Sequence, residues 1–235
     1  MLGPAAGTIA SGLVGEGAAA IHVAVSPAST RLFLIRHGEV DPQWQGRVYG
    51  SLDVPLSERG RRDASRIANL LSGADLAAVV SSGLSRTEHM AAGLRSTRRL
   101  EREDDPALRE LERGEWAGLS LAELEAASPG AWTAWFRNPA TERPPGGESL
   151  NDLFERVKPR IDHWSRAHSG RSVALVTHGW VVRVLVCHVL GAGFELAPRL
   201  DVRTGDVTLL RWALEDGEYA LEAFCLDRLR PQLSE

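Results

Sequence analysis

From Arg31 onward, short apolar runs alternate with amphipathic stretches. Leu32 to Ile35 is a compact apolar run without helical period, and it leads directly into Arg36-His37-Gly38, where Gly marks a sharp turn. The pattern predicts a buried strand. Ser57 to Leu71 places Ala64, Ile67, Ala68 and Leu71 at helical spacing with its arginines on the other face, which predicts an amphipathic helix. A second apolar run, Leu76 to Val80, ends in Ser81-Ser82-Gly83, and a helix is expected from Arg86 to Leu94. A third, Val173 to Val176, ends in Thr177-His178-Gly179 and precedes an apolar helix from Trp180 to Leu190 closed by Gly191. His188, beside Cys187 on that helix, reads as a core histidine. Alternating strands and helices indicate the α/β class.

Between the second and third runs the pattern is helical. Ser120-Leu121-Ala122-Glu123 has capping-box spacing and Pro129 breaks the helical stretch after it, so residues 119–137 should form two short helices with Trp132, Trp135 and Phe136 inward, a small cap. A longer helix starts near Ser149, with Leu150, Leu153, Phe154, Val157, Ile161 and Trp164 as its buried stripe and Pro159 within it. Val207 to Leu214 and Tyr219 to Leu226, joined through Asp216-Gly217, predict a hairpin. The expected architecture is a three-layer α/β/α sandwich with a mostly parallel central sheet and a small helical cap. Residues 1–30, rich in Ala, Gly and Ser, read as a flexible leader without a basic signal region or an apolar run of membrane-spanning length, and 31–235 as one domain.

Composition narrows the partners. A formal net charge of −4 gives no general attraction to nucleic acid or to a membrane surface, so any anion must be held by a local cluster. Lys158 is the one lysine; the remaining cations are arginines, whose planar fork suits oxyanions. Cys187 and Cys225 have no metal-ligand spacing and are too few for a disulfide framework, which favours reduced thiols and a cytoplasmic location.

Two strands that each run into a His-Gly step are the main chemical signal. In an open parallel sheet, ligands bind beyond the carboxyl ends of the strands, so His37 and His178 should project into one crevice. Arg36 adjoins the first, and Arg86 opens a helix after the Ser82-Gly83 turn, where free backbone N–H groups also favour an anion. Glu110, Glu112 and Glu115 lie in a loop-like stretch, and composition does not choose among them. Two arginines, two histidines and one carboxyl suffice for phosphoryl transfer to histidine, with no metal and no cofactor required.

Leu34-Ile35-Arg36-His37-Gly38-Glu39 and Asp53-Val54-Pro55-Leu56-Ser57-Glu58-Arg59-Gly60 resemble the opening of the histidine phosphatase superfamily, the phosphoglycerate mutase-like branch. Ser82 to Arg86, Leu108 to Gly118, Gly146 to Leu150 and Val176 to Gly179 continue the resemblance in the same order. It implies that His37 is the phosphorylated nucleophile, that Arg36, Arg86 and His178 hold the phosphoryl group, and that Glu110, in a Leu-x-Glu step four residues before Gly114, is the acid and later the base. Gln43 and Tyr49 stand where the family often has Asn and Gln as further phosphate donors, which implies an altered pocket. His37 must be neutral to attack, and two neighbouring guanidinium groups should hold its pKa down.

The resulting expectation is a metal-independent phosphatase of small phosphate monoesters, acting on a phosphorylated metabolite, with a homodimer left open. The alternatives are a cofactor-dependent phosphoglycerate mutase, a non-catalytic phospholigand-binding protein of the same fold, and a metal hydrolase. No run of basic residues devoted to a second carboxylate or phosphate is visible, which favours the phosphatase over the mutase.

Overall fold

The computed structural model describes residues 29–226. Its centre is a six-stranded mixed sheet built from β1 (Ser29–Arg36), β2 (Leu76–Ser81), β3 (Glu103–Asp104), β4 (Ser172–Thr177), β5 (Val207–Ala213) and β6 (Tyr219–Ala223) in the order β3-β2-β4-β1-β5-β6. The first four in that order are parallel, and the hairpin β5-β6 joins antiparallel to β1.

The unbroken apolar runs reflect burial of both sheet faces, which removes the need for alternation. Leu32, Leu34, Val173 and Leu175 pack on one side with α5 (Leu150–Ala167) and α6 (Gly179–Val189). Phe33, Ile35, Ala174 and Val176 pack on the other with α1 (Glu58–Leu70) and α2 (Ser85–Ser96). Three layers result. The two short cap helices are α3 (Leu121–Ala127), opened by the Ser120–Glu123 capping box, and α4 (Ala131–Arg137).

Several expectations need correction. β1 begins at Ser29, three residues ahead of the apolar run; positions 1–28 of the expected leader lie outside the described residues, as do positions 227–235. The edge strand β3 has no apolar signal, because two polar residues suffice for pairing at an edge. Phe136 is 45% exposed, since as the residue after Trp135 it lies about 100° around α4 from the face that Trp135 buries. His188 is exposed rather than core: α6 turns this position out of the buried stripe, against the ring of Phe154. α5 runs through Pro159 because the ladder bond it cannot make falls on the exposed side, where Glu155 also lies.

Candidate active site

Register fixes the first contact. Arg36 pairs with Thr177 across the β1-β4 ladder, so the next residues, His37 and His178, leave the sheet side by side. Their ring centroids are 5.2 Å apart and both are fully buried. The His37 backbone N–H donates to the Thr177 carbonyl at 3.1 Å, and its ring Nδ1 lies 2.7 Å from the Gly38 carbonyl. A carbonyl only accepts, so Nδ1 carries the proton and Nε2 the lone pair. Nε2 has no hydrogen-bond partner.

The turn after His37 is clamped from α1. Ser57 caps that helix, accepting from the Gly60 N–H at 3.0 Å, while its hydroxyl donates to Glu39 at 2.8 Å. A Cβ on Gly60 would sit 2.0 Å from the Glu39 carbonyl, and one on Gly38 would sit 2.4 Å from the Gly60 carbonyl. Only glycine permits this approach. Asp53 accepts from both the N–H and the hydroxyl of Ser85 at 2.8 and 2.7 Å, opening α2 and orienting Arg86. Arg86 is fully buried; its guanidinium donates to the Leu52 and Gly50 carbonyls, which leaves Nε without a partner. Arg36 repeats this design, with Nη1 donating to the Val202 carbonyl at 2.6 Å and Nε free of any bond.

Glu110 reaches the same corner from a loop. Its Oε1 accepts from the N–H groups of Leu111 at 3.0 Å and Trp180 at 3.1 Å, the latter in the first turn of α6 just past His178. The Thr177 hydroxyl donates to the Leu108 carbonyl at 2.7 Å, tying the loop to β4. Glu148 accepts from the Glu112 N–H and binds Arg156, which in turn donates to the Ala107 and Arg109 carbonyls. The Gly-Gly-Glu-Ser motif thus braces the Glu110 loop. Glu112 and Glu115, the rival carboxylates, do not line the cavity that Glu110 does.

That cavity measures about 260 Å³ and opens between the sheet rim and the cap. Tyr49 lines it, 6.5 Å from the His37 ring and with the Arg86 guanidinium 5.4 Å from its own centroid. Gln43 does not: it is exposed on a 3-10 turn at Pro42–Trp44 and borders a separate depression with Trp44, Arg47 and Gly118. The fold does not bring Gln43 to this cavity; position 43 lies on the outer side of its turn. Residues missed in the sequence also line the cavity, among them Arg47, Arg113, Arg183, Trp132 and Trp180. The helical period of α6 could have flagged Arg183, a lone charge in an apolar helix one turn beyond Gly179. Nothing local marked Arg113.

Comparison with known proteins agrees with this geometry. Residues 32–224 match the histidine phosphatase superfamily (branch 1). The chain belongs to that family. It is 36% identical over 177 residues to a glucosyl-3-phosphoglycerate phosphatase of Mycolicibacterium vanbaalenii, covering 72% of this chain and 78% of that one. It is 32% identical over 161 residues to phosphoserine phosphatase 1 of Hydrogenobacter thermophilus, covering 68% and 76%. A solved mycobacterial glucosyl-3-phosphoglycerate phosphatase superposes with a TM-score of 0.76 at 31% identity, over 84% of this chain and 99% of the other.

As a histidine phosphatase, the chain is a phosphoric monoester hydrolase that works through a phosphohistidine. The electrostatics of the site suit that chemistry. Burial first, then Arg86 and Arg36, hold His37 well below the ordinary histidine range, with the Gly38 hydrogen bond in partial opposition. His178 is also held well below it, by burial and then by Arg86, His37 and Arg36. Both rings are neutral at pH 7. The expected direction for His37 is right, although burial rather than the arginines is the largest cause. Two guanidinium groups beside two imidazoles make a field that attracts an oxyanion and repels a cation.

Proposed function

We propose that His37 is the residue phosphorylated during turnover, with Arg36, Arg86 and His178 holding the phosphoryl oxygens and Glu110 as acid and then base. The observation that carries this reading is the tautomer set by the Gly38 carbonyl, which leaves the Nε2 lone pair buried, without a partner, beside a second imidazole. Nε2 attacks phosphorus in line with the ester oxygen; the N–P bond forms as the P–O bond to the leaving group breaks, and Glu110 gives its proton to that oxygen. Water then attacks the phosphohistidine, loses its proton to Glu110, and frees phosphate. To donate from Nδ1 while neutral, His178 accepts at Nε2 from the Ser82 hydroxyl, 2.8 Å away.

The substrate in this reading is a small phosphorylated metabolite, which a cavity of about 260 Å³ suits and a nucleic acid does not, given a net charge of −4. The named activities of the relatives support hydrolysis over mutase transfer. No helix among the described residues is long and apolar enough to cross a membrane. The buried thiols of Cys187 and Cys225 support the cytoplasm as the compartment. Residues from 36 to 183 build one cavity, which supports a single catalytic domain over 31–235.

The test is to react the protein with 4-nitrophenyl phosphate, quench in base and locate the acid-labile phosphate by mass spectrometry. It should lie on the peptide containing His37, and His37→Ala should release no phosphate while keeping its circular dichroism. Label on His178 alone, or undiminished turnover by His37→Ala, would overturn the assignment.

A further inference from the structure

The lining of the cavity includes a cation that the phosphoryl chemistry does not use. Arg113 is 3% exposed, lines the cavity, and its guanidinium lies 4.3 Å from the Trp135 ring centroid, 5.5 Å from Trp180 and 5.6 Å from Trp132. Its Nη1 is buried without a hydrogen-bond partner. Burial lowers its ionisation to about 10, so it remains a cation at neutral pH. Indole faces compensate part of the desolvation of such a charge, but they satisfy none of its N–H donors. The anion acting on it within the protein is Glu110, and Glu110 in the role given above holds its proton from substrate binding until it passes to the leaving oxygen. Through that bound state the carboxyl beside Arg113 is neutral, and an anion of the substrate can take its place.

We propose that Arg113, held in its tryptophan box, is a specificity-determining residue that binds a carboxylate on the alcohol portion of the substrate. The inference rests on the phosphatase reading and narrows it to phosphate monoesters of hydroxy acids. A planar guanidinium matches a planar carboxylate through paired N–H donors, and the flanking indoles keep water from competing. Arg183, which also lines the cavity, adds positive potential, while its Nε is committed to the Leu200 carbonyl at 2.9 Å.

The experiment compares kcat/KM for pairs that differ by the carboxylate alone: O-phosphoserine against O-phosphoethanolamine, and 3-phosphoglycerate against glycerol 3-phosphate. The natural protein should prefer the acid of each pair by about 10- to 100-fold, the range expected when a site built to bond a polar group meets an analogue lacking it. Arg113→Met should bring the ratio close to one, chiefly through KM, and Arg113→Lys should leave an intermediate ratio. If Arg113→Met does not fold, the natural protein and Arg113→Lys decide the matter. No preference in the natural protein, or a ratio unmoved by either substitution, overturns the subsite. Failure to hydrolyse 4-nitrophenyl phosphate would instead strike the phosphatase reading itself, so the two failures are distinguishable.

Discussion

The sheet rim and the cap side of the cavity beside it are built on different principles. At the rim, here the sheet wall, Arg36, His37 and His178 leave the ends of adjacent strands, and Arg86 begins a helix; each is fixed by bonds to main-chain or short side-chain partners, and of these Arg36 lines the cavity itself. On the cap wall, Trp132 comes from a seven-residue helix and Arg113 from a loop, held by ring faces rather than by hydrogen bonds. The first arrangement gives directional placement, which the attack on phosphorus requires. The second gives shape and charge without strict direction, which is enough to select a leaving group. Rate should therefore depend on the sheet wall and selectivity on the cap wall.

The strongest way to break that contrast is to remove the proposed nucleophile: His37→Ala should lower kcat by about 10³-fold or more, read as phosphate release in steady state. Arg86→Met comes next. With one buried guanidinium gone from the phosphoryl group, kcat should fall about 10²- to 10³-fold on every ester, whatever its leaving group. A loss confined to acidic leaving groups would blur the two walls. Trp132→Leu tests the other side: its KM for acidic esters should rise about tenfold or less, with a smaller change in kcat, and the opposite split would assign the cap to chemistry.

Acid sharpens the comparison through stability. His37 and His178 have lowered folded-state pKa values, so below the ordinary histidine value of about 6.5 the unfolded chain binds protons that the folded chain refuses. Stability is full above that value and falls as pH drops beneath it, by up to about 1.4 kcal/mol per pH unit for each ring. Melting curves at pH 7.5 and 5.5 should show the loss, and His178→Gln should shrink it; an unchanged pH dependence would remove the claim that the ring is buried neutral. kcat, in contrast, should persist into mildly acidic pH because His37 keeps its lone pair. The smallest effect is expected from Ser82→Ala, about fivefold in kcat through a misoriented His178.

The strands, the two His-Gly steps and the helices α1, α2, α5 and α6 were legible because each is encoded in a continuous window: an apolar run, a period of 3.6, a cap. The gathering of Arg36, His37 and His178 at one rim was legible for the same reason, since these residues sit at the ends of such windows. Gln43 and Tyr49 show the limit. Six residues separate them, both were offered as phosphate donors, and loop geometry alone put Tyr49 in the cavity and Gln43 outside it. The failure to find a second anion site has the same origin. Arg47, Arg113 and Arg183 are scattered along the chain and form no basic run, yet the fold gathers them around one cavity.

What the sequence by itself determined is therefore the class of fold, the rim of the sheet and the type of chemistry performed there, because short-range patterns fix strands and the parallel register aligns their ends. What only the tertiary structure decided is the surroundings of the leaving group. A buried arginine among three tryptophans depends on contacts between residues 113, 132, 135 and 180, and contacts at that separation leave no periodic trace in the chain.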